Sequence, residues 1–202
     1  MKKIIYTLAF TVTLWSCKTG SSTGTAKKNT VDVNINLTDV KDDKVLVTVV
    51  APEIKTDEII YSIPRTVPGT YSTDNYGKNS DNFKAFDTKG NELSVKRIDD
   101  NSWSIAGAKK LQKITYLVGD TFDTEKGTGF GNDDIFSPAG TNINSGKNFM
   151  INTHGFVGYF KDKLDIPYHV TVTHPDTLWG ATSMTDEDAG NTSDKFVASR
   201  YA

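Results

Sequence analysis

The three histidines are the side chains of this sequence best suited to hold a metal ion, because imidazole is a common zinc ligand. His169 and His174 fall five positions apart in one apolar stretch that predicts a strand. Side chains alternate between the faces of a strand, so an odd separation places these two imidazoles on opposite sides of a sheet. The sequence also contains no HExxH motif, which would pair two histidines on one helical face. We therefore interpret His154, His169 and His174 as structural or surface residues and assign no metal ligand.

Two glycine-rich stretches resemble phosphate-binding loops in composition but lack the required spacing. GTNINSGK at 140–147 has one residue too many between its glycines, and Asn148 stands where a magnesium-binding Ser or Thr belongs. GTGFG at 127–131 has no surrounding strand–helix–strand pattern, which a dinucleotide fingerprint needs. We interpret both stretches as flexible loops.

The acidic residues of the same region raise the question of calcium binding in the cell envelope. They are Asp120, Asp123, Glu125, Asp133 and Asp134. Their spacing does not match the regular oxygen-ligand loop with its fixed glycine, so solvated loop charges are favoured over a calcium site. No G-x-S-x-G elbow of a serine hydrolase occurs either. Since no complete catalytic constellation is present, we assign no catalytic residue.

The first residues predict a secretion signal that ends in a lipid anchor. Lys2 and Lys3 precede an apolar run, IIYTLAFTVTLW, that is too short to span a bilayer comfortably. The run ends in Leu14-Trp15-Ser16-Cys17, which resembles the box of a bacterial lipoprotein signal, lipidated on its cysteine and cleaved just before it. We therefore predict a signal peptide over 1–16, a lipidated Cys17, and a location in the bacterial cell envelope, on the periplasmic or outer-membrane side. The alternatives are an ordinary cleaved secretory peptide and an uncleaved anchor.

Composition places the rest of the chain among globular all-β domains. Apolar residues make up 37% and aromatic residues 10% of the 202 positions, which is enough for a hydrophobic core. The 16 glycines and 6 prolines favour long connections between strands. A net charge of −2 with scattered basic residues excludes the clustered positive surface of a nucleic-acid-binding protein. Cys17 is the only cysteine, so no disulfide within the chain is possible.

Alternating apolar residues predict a series of strands after a flexible polar tether that includes Cys17 and extends to residue 30. VDVNINL at 31–37 alternates cleanly, and VLVTVVAP at 45–52 supplies its hairpin partner. About nine strands separated by turn signals predict a β-sandwich-like module with long loops. We place this all-β domain at 31–185 and an exit linker at 186–202. The remaining strands are predicted at 58–64, 83–98 (a pair), 103–105, 111–123 and 166–175.

The stretch from Ser62 to Gly90 predicts a packed crossover between sheets. Pro68-Gly69 is a strong turn signal, because proline fixes one dihedral angle and glycine tolerates the positive φ that follows. Pro64 cannot continue a central strand, and the aromatic residues of the stretch, Tyr71 among them, favour packing over a solvent loop. A helical turn is possible further along, with Asp74 as its N-cap.

Several short motifs follow one another in a fixed order from this crossover onward. They are Ile63-Pro64, Pro68-Gly69-Thr70-Tyr71, Ala85-Phe86-Asp87-Thr88-Lys89-Gly90, Trp103 with Ile105, KITYLV at 113–118, and Leu178-Trp179. Together they resemble the N-terminal domain of the glycyl aminopeptidase family of zinc metallopeptidases, the PDZ-containing type. Val67 departs from the family, which usually has tryptophan before Pro-Gly. The resemblance marks as structural family positions Pro64, Pro68, Gly69, Tyr71, Asp87, Gly90, Trp103 and Trp179.

The resemblance implies an all-β module that precedes a thermolysin-like catalytic domain and a PDZ domain, both absent from this chain. It implies that zinc is held only in the catalytic domain and that this chain has no cofactor of its own. We therefore predict a non-catalytic module of a lipid-anchored metalloaminopeptidase, in truncated or split form, that scaffolds or shapes the substrate cleft of the peptidase domain. The alternative is a free-standing envelope β-sandwich lipoprotein that binds a peptide, glycan or partner protein. Catalysis by this chain alone is disfavoured.

Overall fold

The computed structural model describes residues 29–69, 72–122, 139–187 and 190–201. The predicted signal peptide, the predicted lipidation site Cys17, Tyr71 and the stretch 123–138 therefore lie outside the described residues. Strands dominate the described part, with one short helix, α1, at Thr153–Phe156 and 3₁₀ turns at Tyr76–Asn79 and Ala108–Lys110. The strands are β1 Val31–Lys41, β2 Lys44–Val50, β3 Glu58–Ser62, β4 Ser80–Asp87, β5 Glu92–Leu93, β6 Val95–Arg97, β7 Ser102–Ala106, β8 Leu111–Gly119, β9 Asn142–Asn144, β10 Asn148–Met150, β11 Tyr159–Phe160, β12 Tyr168–Thr173, β13 Thr185–Asp186 and β14 Ser193–Ala198.

These strands form two main sheets and a separate hairpin. The larger sheet has eight strands in the order β13-β14-β12-β1-β2-β8-β4-β5, and the smaller has four in the order β11-β3-β7-β6. β9 and β10 pair only with each other among the described strands. β1 and β12 run parallel. The open sheets and the strand content confirm the prediction of an all-β, sandwich-like fold.

The core forms because the strands alternate apolar and polar residues with the period of two that a pleated sheet requires. In β1, the predicted inward set Val31, Val33, Ile35 and Leu37 is buried. In β8, the predicted inward residues Ile114, Tyr116 and Val118 are buried as well. β1 pairs with β2 in an antiparallel register, so the predicted hairpin is confirmed.

Tyrosines link the two sheets through the middle of the core. Tyr61 on β3 and Tyr116 on β8 are both fully buried, and their hydroxyl oxygens lie 2.9 Å apart. The Gly158 N–H donates to the Tyr61 hydroxyl, and the Tyr116 hydroxyl donates to the Phe156 carbonyl. The Tyr61 hydroxyl therefore donates to Tyr116, and this chain of hydrogen bonds satisfies both buried phenols.

The stretch from Ser62 to Gly90 crosses from one sheet to the other, as predicted. β3 belongs to the four-stranded sheet and β4 to the eight-stranded sheet. Pro64 is buried at the end of β3, and Gly69 has the expected positive φ, 94°. The prediction of Asp74 as an N-cap is wrong: the 3₁₀ turn begins after Asn75, which adopts a left-handed conformation and makes no side-chain cap.

Side chains and backbone groups from the β6–β7 hairpin hold the end of this crossover. The Gly77 N–H donates to the side-chain oxygen of Asn101, and the Asn101 amide donates to Asn75. The Arg97 guanidinium donates to the Gly77 carbonyl and lies over the Trp103 ring, with its central carbon 5.2 Å from the ring centroid. Asn101 is buried, so these bonds also satisfy its amide.

Two predictions about loops are corrected by the structure. GTNINSGK at 140–147 is not merely a flexible loop, because its residues form β9 and the turn into β10. The end of the domain is also different, because β14 lies inside the segment predicted as an exit linker and pairs with β12 along its whole length. Polar residues hid this strand from sequence reading, since only alternate positions of SDKFVA reach the core. Within the described residues there are fourteen strands rather than about nine, several of them two or three residues long.

Where the structure describes the chain, none of its helices is long and apolar enough to cross a membrane.

Candidate functional site

A cavity of about 330 Å³ opens at one end of the eight-stranded sheet. Its floor is the inner face of β1, β12 and β14, represented by Ile35, Val172 and Phe196. One wall is the segment from Asn148 to Thr153, and the other is the loop 178–184 between β12 and β13. The cavity thus lies over the apolar inner face of these three strands. It is referred to below as the Trp179 pocket.

Apolar side chains form most of the lining of the Trp179 pocket. Its polar members are Asn148, Thr153, Thr182, His174 and Asp194. The apolar members are Ile35, Leu37, Phe149, Met150, Ile151, Val170, Val172, Leu178, Trp179, Ala181, Met184 and Phe196. A concave, mainly apolar site with few polar groups is the usual form of a ligand-binding site in proteins.

His174 and Asp194 form a buried pair beneath the pocket. Their exposed fractions are 3% and 4%. The His174 Nδ1 lies 2.9 Å from the Pro175 carbonyl oxygen, which can only accept, so we assign the proton to Nδ1. The His174 Nε2 lies 3.2 Å from Asp194 Oδ2, although it is not aligned for a hydrogen bond.

The buried pair also fixes the loop that carries Trp179. The Gly180 N–H donates to Asp194 Oδ2 over 2.9 Å, directly after Trp179 in the chain. The Pro175 carbonyl, which already accepts from His174, accepts from the Leu178 N–H over 3.0 Å as well. These two bonds, together with the bond from His174 to the Pro175 carbonyl, therefore fix the backbone on both sides of Trp179.

Two large apolar side chains at the pocket are exposed to solvent. Trp179 is 82% exposed and Met150 is 67% exposed. Single exposed apolar residues are common on protein surfaces, but two at the rim of one apolar cavity form a patch that favours binding. The side chains of His174 and Asp194 line the pocket but are only 3% and 4% exposed. The arrangement is therefore suited to binding an apolar group.

The histidines are not brought together. His169 contacts Asp32 on the outer face of the sheet, with Nδ1 2.8 Å from the carboxylate oxygen, while His174 lies beneath the pocket. The opposite orientations expected from their odd separation are thus observed. His154 follows the α1 N-cap Asn152, and burial lowers the pKa of its imidazole.

A catalytic zinc ion has no ligand set in the part of the chain that the structure describes. No group of three or more His, Cys, Asp or Glu side chains lies close enough together there to hold a metal ion. Of the acidic residues considered for calcium, only Asp120 is described, and its carboxylate accepts from the backbone N–H groups of Phe122 and Ile143. Asp123, Glu125, Asp133 and Asp134 lie outside the described residues.

Those predicted family positions that the structure describes have structural rather than chemical surroundings, with one exception. Trp103 is buried and stacks on Phe83, with ring centroids 4.7 Å apart. The Asp87 carboxylate accepts from the N–H groups of Lys89 and Asn91, which closes the turn that contains Gly90 at φ 81°. Pro68 is exposed beside Gly69. Trp179 is the exception, because it lines the pocket.

Sequence reasoning identified Trp179 but missed the residues that give it a position. Asp194 stood in the predicted linker, and no role was predicted for Met150. The available signal was the alternation of Asp194, Phe196 and Ala198 along one strand face, which a period-two reading of 193–198 would have revealed.

Comparisons with known proteins agree with the fold. A family model described as the peptidase M61 N-terminal domain matches residues 32–202. A comparison with curated proteins gives no match. An aminopeptidase N family protein from Idiomarina loihiensis is similar in structure, with a TM-score of 0.69 and 21% identity over 85% of this chain and 27% of that chain. An M1 zinc metallopeptidase mutant from Deinococcus radiodurans matches 85% of this chain and 38% of its own, with 11% identity and a TM-score of 0.36.

These structural likenesses carry unequal weight. At 21% identity, the first shows a shared fold and nothing more specific. The second is too distant to carry an argument. Because the match covers 27% of the Idiomarina protein, this chain spans only about a quarter of that protein's length.

Proposed function

We propose, from the premise that this chain belongs to the peptidase M61 N-terminal domain family, that it is the non-catalytic module of a lipid-anchored zinc metalloaminopeptidase. The module scaffolds a catalytic domain and shapes its substrate cleft. The observation that carries this proposal is the extent of the family match, which includes every strand of the described sandwich from the second residue of β1 to β14. We further propose the PDZ-containing glycyl aminopeptidase type, on the strength of the ordered motifs around Pro68-Gly69 and Trp103.

The interior of the module supports a scaffolding role. The buried Tyr61–Tyr116 pair joins the two sheets by a hydrogen bond between the phenol groups. The described residues provide no zinc ligand set. We propose that zinc is held by the catalytic domain. A rigid sandwich is suited to holding a neighbouring domain in position, because its strands are cross-linked by hydrogen bonds over long sequence separations.

The test is to purify the protein from its native cells through an affinity tag and identify what accompanies it. We expect a polypeptide containing HExxH, either continuous with this chain or bound to it. The purified material should release the fluorophore from glycyl-aminomethylcoumarin, and 1,10-phenanthroline should abolish the release. The 202-residue chain expressed alone is the control and should be inactive. Chelator-sensitive activity of that chain alone, or the absence of any metallopeptidase polypeptide, would contradict the proposal.

We also propose that Cys17 carries the lipid that anchors the module to a membrane of the bacterial envelope. The support is the Leu14-Trp15-Ser16-Cys17 box behind a positively charged apolar run. Bacterial lipoproteins carry several acyl chains, and more than one chain is needed for stable attachment. Cys17→Ser should move the protein from the membrane fraction to the soluble fraction, measured by immunoblot after ultracentrifugation. Unchanged membrane partitioning of Cys17→Ser would refute the anchor, and Ser16→Ala serves as the neighbouring control.

A further inference from the structure

The buried pair beneath the Trp179 pocket brings two hydrogen-bond acceptors together when its histidine is neutral. The His174 Nδ1 carries a proton, because it faces the Pro175 carbonyl oxygen, which can only accept. In the neutral imidazole, Nε2 is therefore an acceptor, and it lies 3.2 Å from the carboxylate oxygen Oδ2 of Asp194. Both side chains are buried, so solvent does little to weaken the repulsion between these two atoms. A second proton, on Nε2, turns the same contact into a buried ion pair.

Asp194 is the charged group that His174 meets. Of the described residues that line the pocket, these two are the only ones with titratable side chains. The two walls and β1 contribute apolar and uncharged polar side chains to the lining. The charged neighbours in sequence are Asp176, Lys147 and Lys195, and none of them belongs to the described lining. Lys195 points to the opposite face of β14 and pairs with a glutamate there.

The same carboxylate oxygen holds one wall of the pocket. The Gly180 N–H donates to Asp194 Oδ2 over 2.9 Å. A Cβ at Gly180 would overlap that carboxylate and lie 3.4 Å from the Phe196 ring, so the loop backbone packs directly on the buried pair. Met184, further along the loop, packs against the core. A change of charge beside Oδ2 therefore acts on the loop that carries Trp179.

We propose that the His174–Asp194 pair is a pH-dependent switch for the loop 178–184. When Nε2 carries a proton, the imidazolium attracts the carboxylate and keeps it in place to accept from Gly180. When that proton leaves to solvent, the Nε2 lone pair faces the buried carboxylate, which turns away and releases the Gly180 N–H. The loop then moves outward with Trp179 and widens the pocket. The switch does not depend on the proposed catalytic domain, because all of its groups belong to this chain.

The direction of the response follows from proton binding. The closed loop favours one more bound proton than the released loop, because only the closed loop keeps the imidazolium beside the carboxylate. Raising the pH therefore favours the released loop. Imidazole suits such a switch, since it is the side chain whose charge ordinarily changes between about pH 5 and 8.

Two NMR measurements on the 202-residue chain between about pH 5 and 9 test the switch. The ¹⁵N shifts of the His174 ring report the proton on each nitrogen, and a ¹³C-labelled Met184 methyl reports the position of the loop. We expect Nδ1 to stay protonated, and we expect proton loss from Nε2 and the change at Met184 to share one midpoint. Different midpoints, a neutral imidazole protonated at Nε2, or a Met184 shift that stays constant would overturn the proposal.

Removing the charge of the pair should remove the pH response. Asp194→Asn keeps an oxygen that can accept from Gly180 but has no carboxylate, so its Met184 shift should no longer depend on pH. His169→Gln is the matched control, because His169 also contacts a carboxylate, that of Asp32, but on the outer face of the sheet. It should respond to pH as the parent does. A response that persists in Asp194→Asn, or that disappears in His169→Gln, would contradict the assignment.

A third variant tests the connection between the pair and the loop. In Gly180→Ala the added methyl group overlaps the Asp194 carboxylate, so the loop should be released at every pH. The Met184 methyl of this variant at pH 5 should resonate where the parent's does at pH 9. Far-UV circular dichroism checks that each variant is folded. A folded Gly180→Ala whose Met184 methyl matches the parent at pH 5 would show that the pair does not hold the loop.

Discussion

At the scale of single residues, Gly69 shows how a backbone angle can be required without any packing requirement. Its φ is 94°, and a Cβ added there would have no neighbour within 4 Å among the described residues. Gly69→Val should therefore lose about 1–2 kcal/mol of unfolding free energy through backbone strain alone. Gly69→Asn should lose less, because asparagine tolerates a positive φ better. Urea unfolding would measure both, and equal stability of Gly69→Val and the parent would rule out strain at this turn.

The buried tyrosines make the molecule sensitive to alkali. Burial, and next the neighbouring Tyr116, hold the pKa of Tyr61 well above its usual value, and burial likewise raises the pKa of Tyr116. A folded-state pKa above the unfolded value means that this stabilisation is complete below the unfolded pKa of about 10 and is lost as pH rises towards the folded one. Each such tyrosine should reduce stability by about 1.4 kcal/mol per pH unit in that range. Urea midpoints at pH 7, 9 and 11 would show this, and a flat profile would contradict it.

At the scale of elements, the crossover between the sheets depends on close backbone contact at Gly77. A Cβ on Gly77 would lie 2.5 Å from the Asp100 carbonyl oxygen and 2.6 Å from the Asn101 Cα, and neither backbone atom can move easily. Gly77→Ala should therefore destabilise the fold by about 1–3 kcal/mol and loosen the crossover from the β6–β7 hairpin.

Gly155→Ala is the matched control for that crossover contact. The same methyl group there would meet only the Tyr76 ring at 3.6 Å, an ordinary contact distance. We expect the free energy of unfolding of Gly155→Ala to lie within about 0.5 kcal/mol of the parent's value. Thermal unfolding of the two variants would test this difference. Similar melting temperatures for both would show that Gly77 does not need to be glycine for close backbone contact.

At the scale of the whole molecule, β14 determines where the domain ends. Phe196 is 6% exposed and packs into the same core cluster as Val33 and Tyr168. Phe196→Ala should cost about 3 kcal/mol or more of unfolding free energy, because it leaves a cavity in that core. Val197→Ala, on the opposite face of the same strand, should cost about 1 kcal/mol or less.

A single core also predicts a single transition. Loss of Trp103 burial by fluorescence and loss of strand by circular dichroism should coincide in the parent and in Phe196→Ala. Separate transitions, or a Phe196→Ala loss no larger than that of Val197→Ala, would show that β14 is not part of the cooperative unit.

The sequence by itself determined the local features of this protein. Period-two alternation identified β1, β2 and β8 and their buried faces, since a pleated strand leaves no other way to sort apolar from polar residues. Pro68-Gly69 identified a crossover turn, and the ordered motifs that end at Trp179 identified a peptidase N-terminal domain. These signals are carried by neighbours in the chain, so they can be read without the fold.

Only the tertiary structure showed that residues 193–198 form a strand of the core and that this strand contributes to the Trp179 pocket. Asp194 is a carboxylate in a polar stretch, and nothing local shows that it lies beneath His174 and bonds to Gly180. Met150, Trp179 and Phe196 are separated by 29 and 17 positions along the chain, yet they line one pocket. Strand pairing over such separations is set by the packing of the whole sandwich core, so the pocket cannot be read from neighbours in the chain.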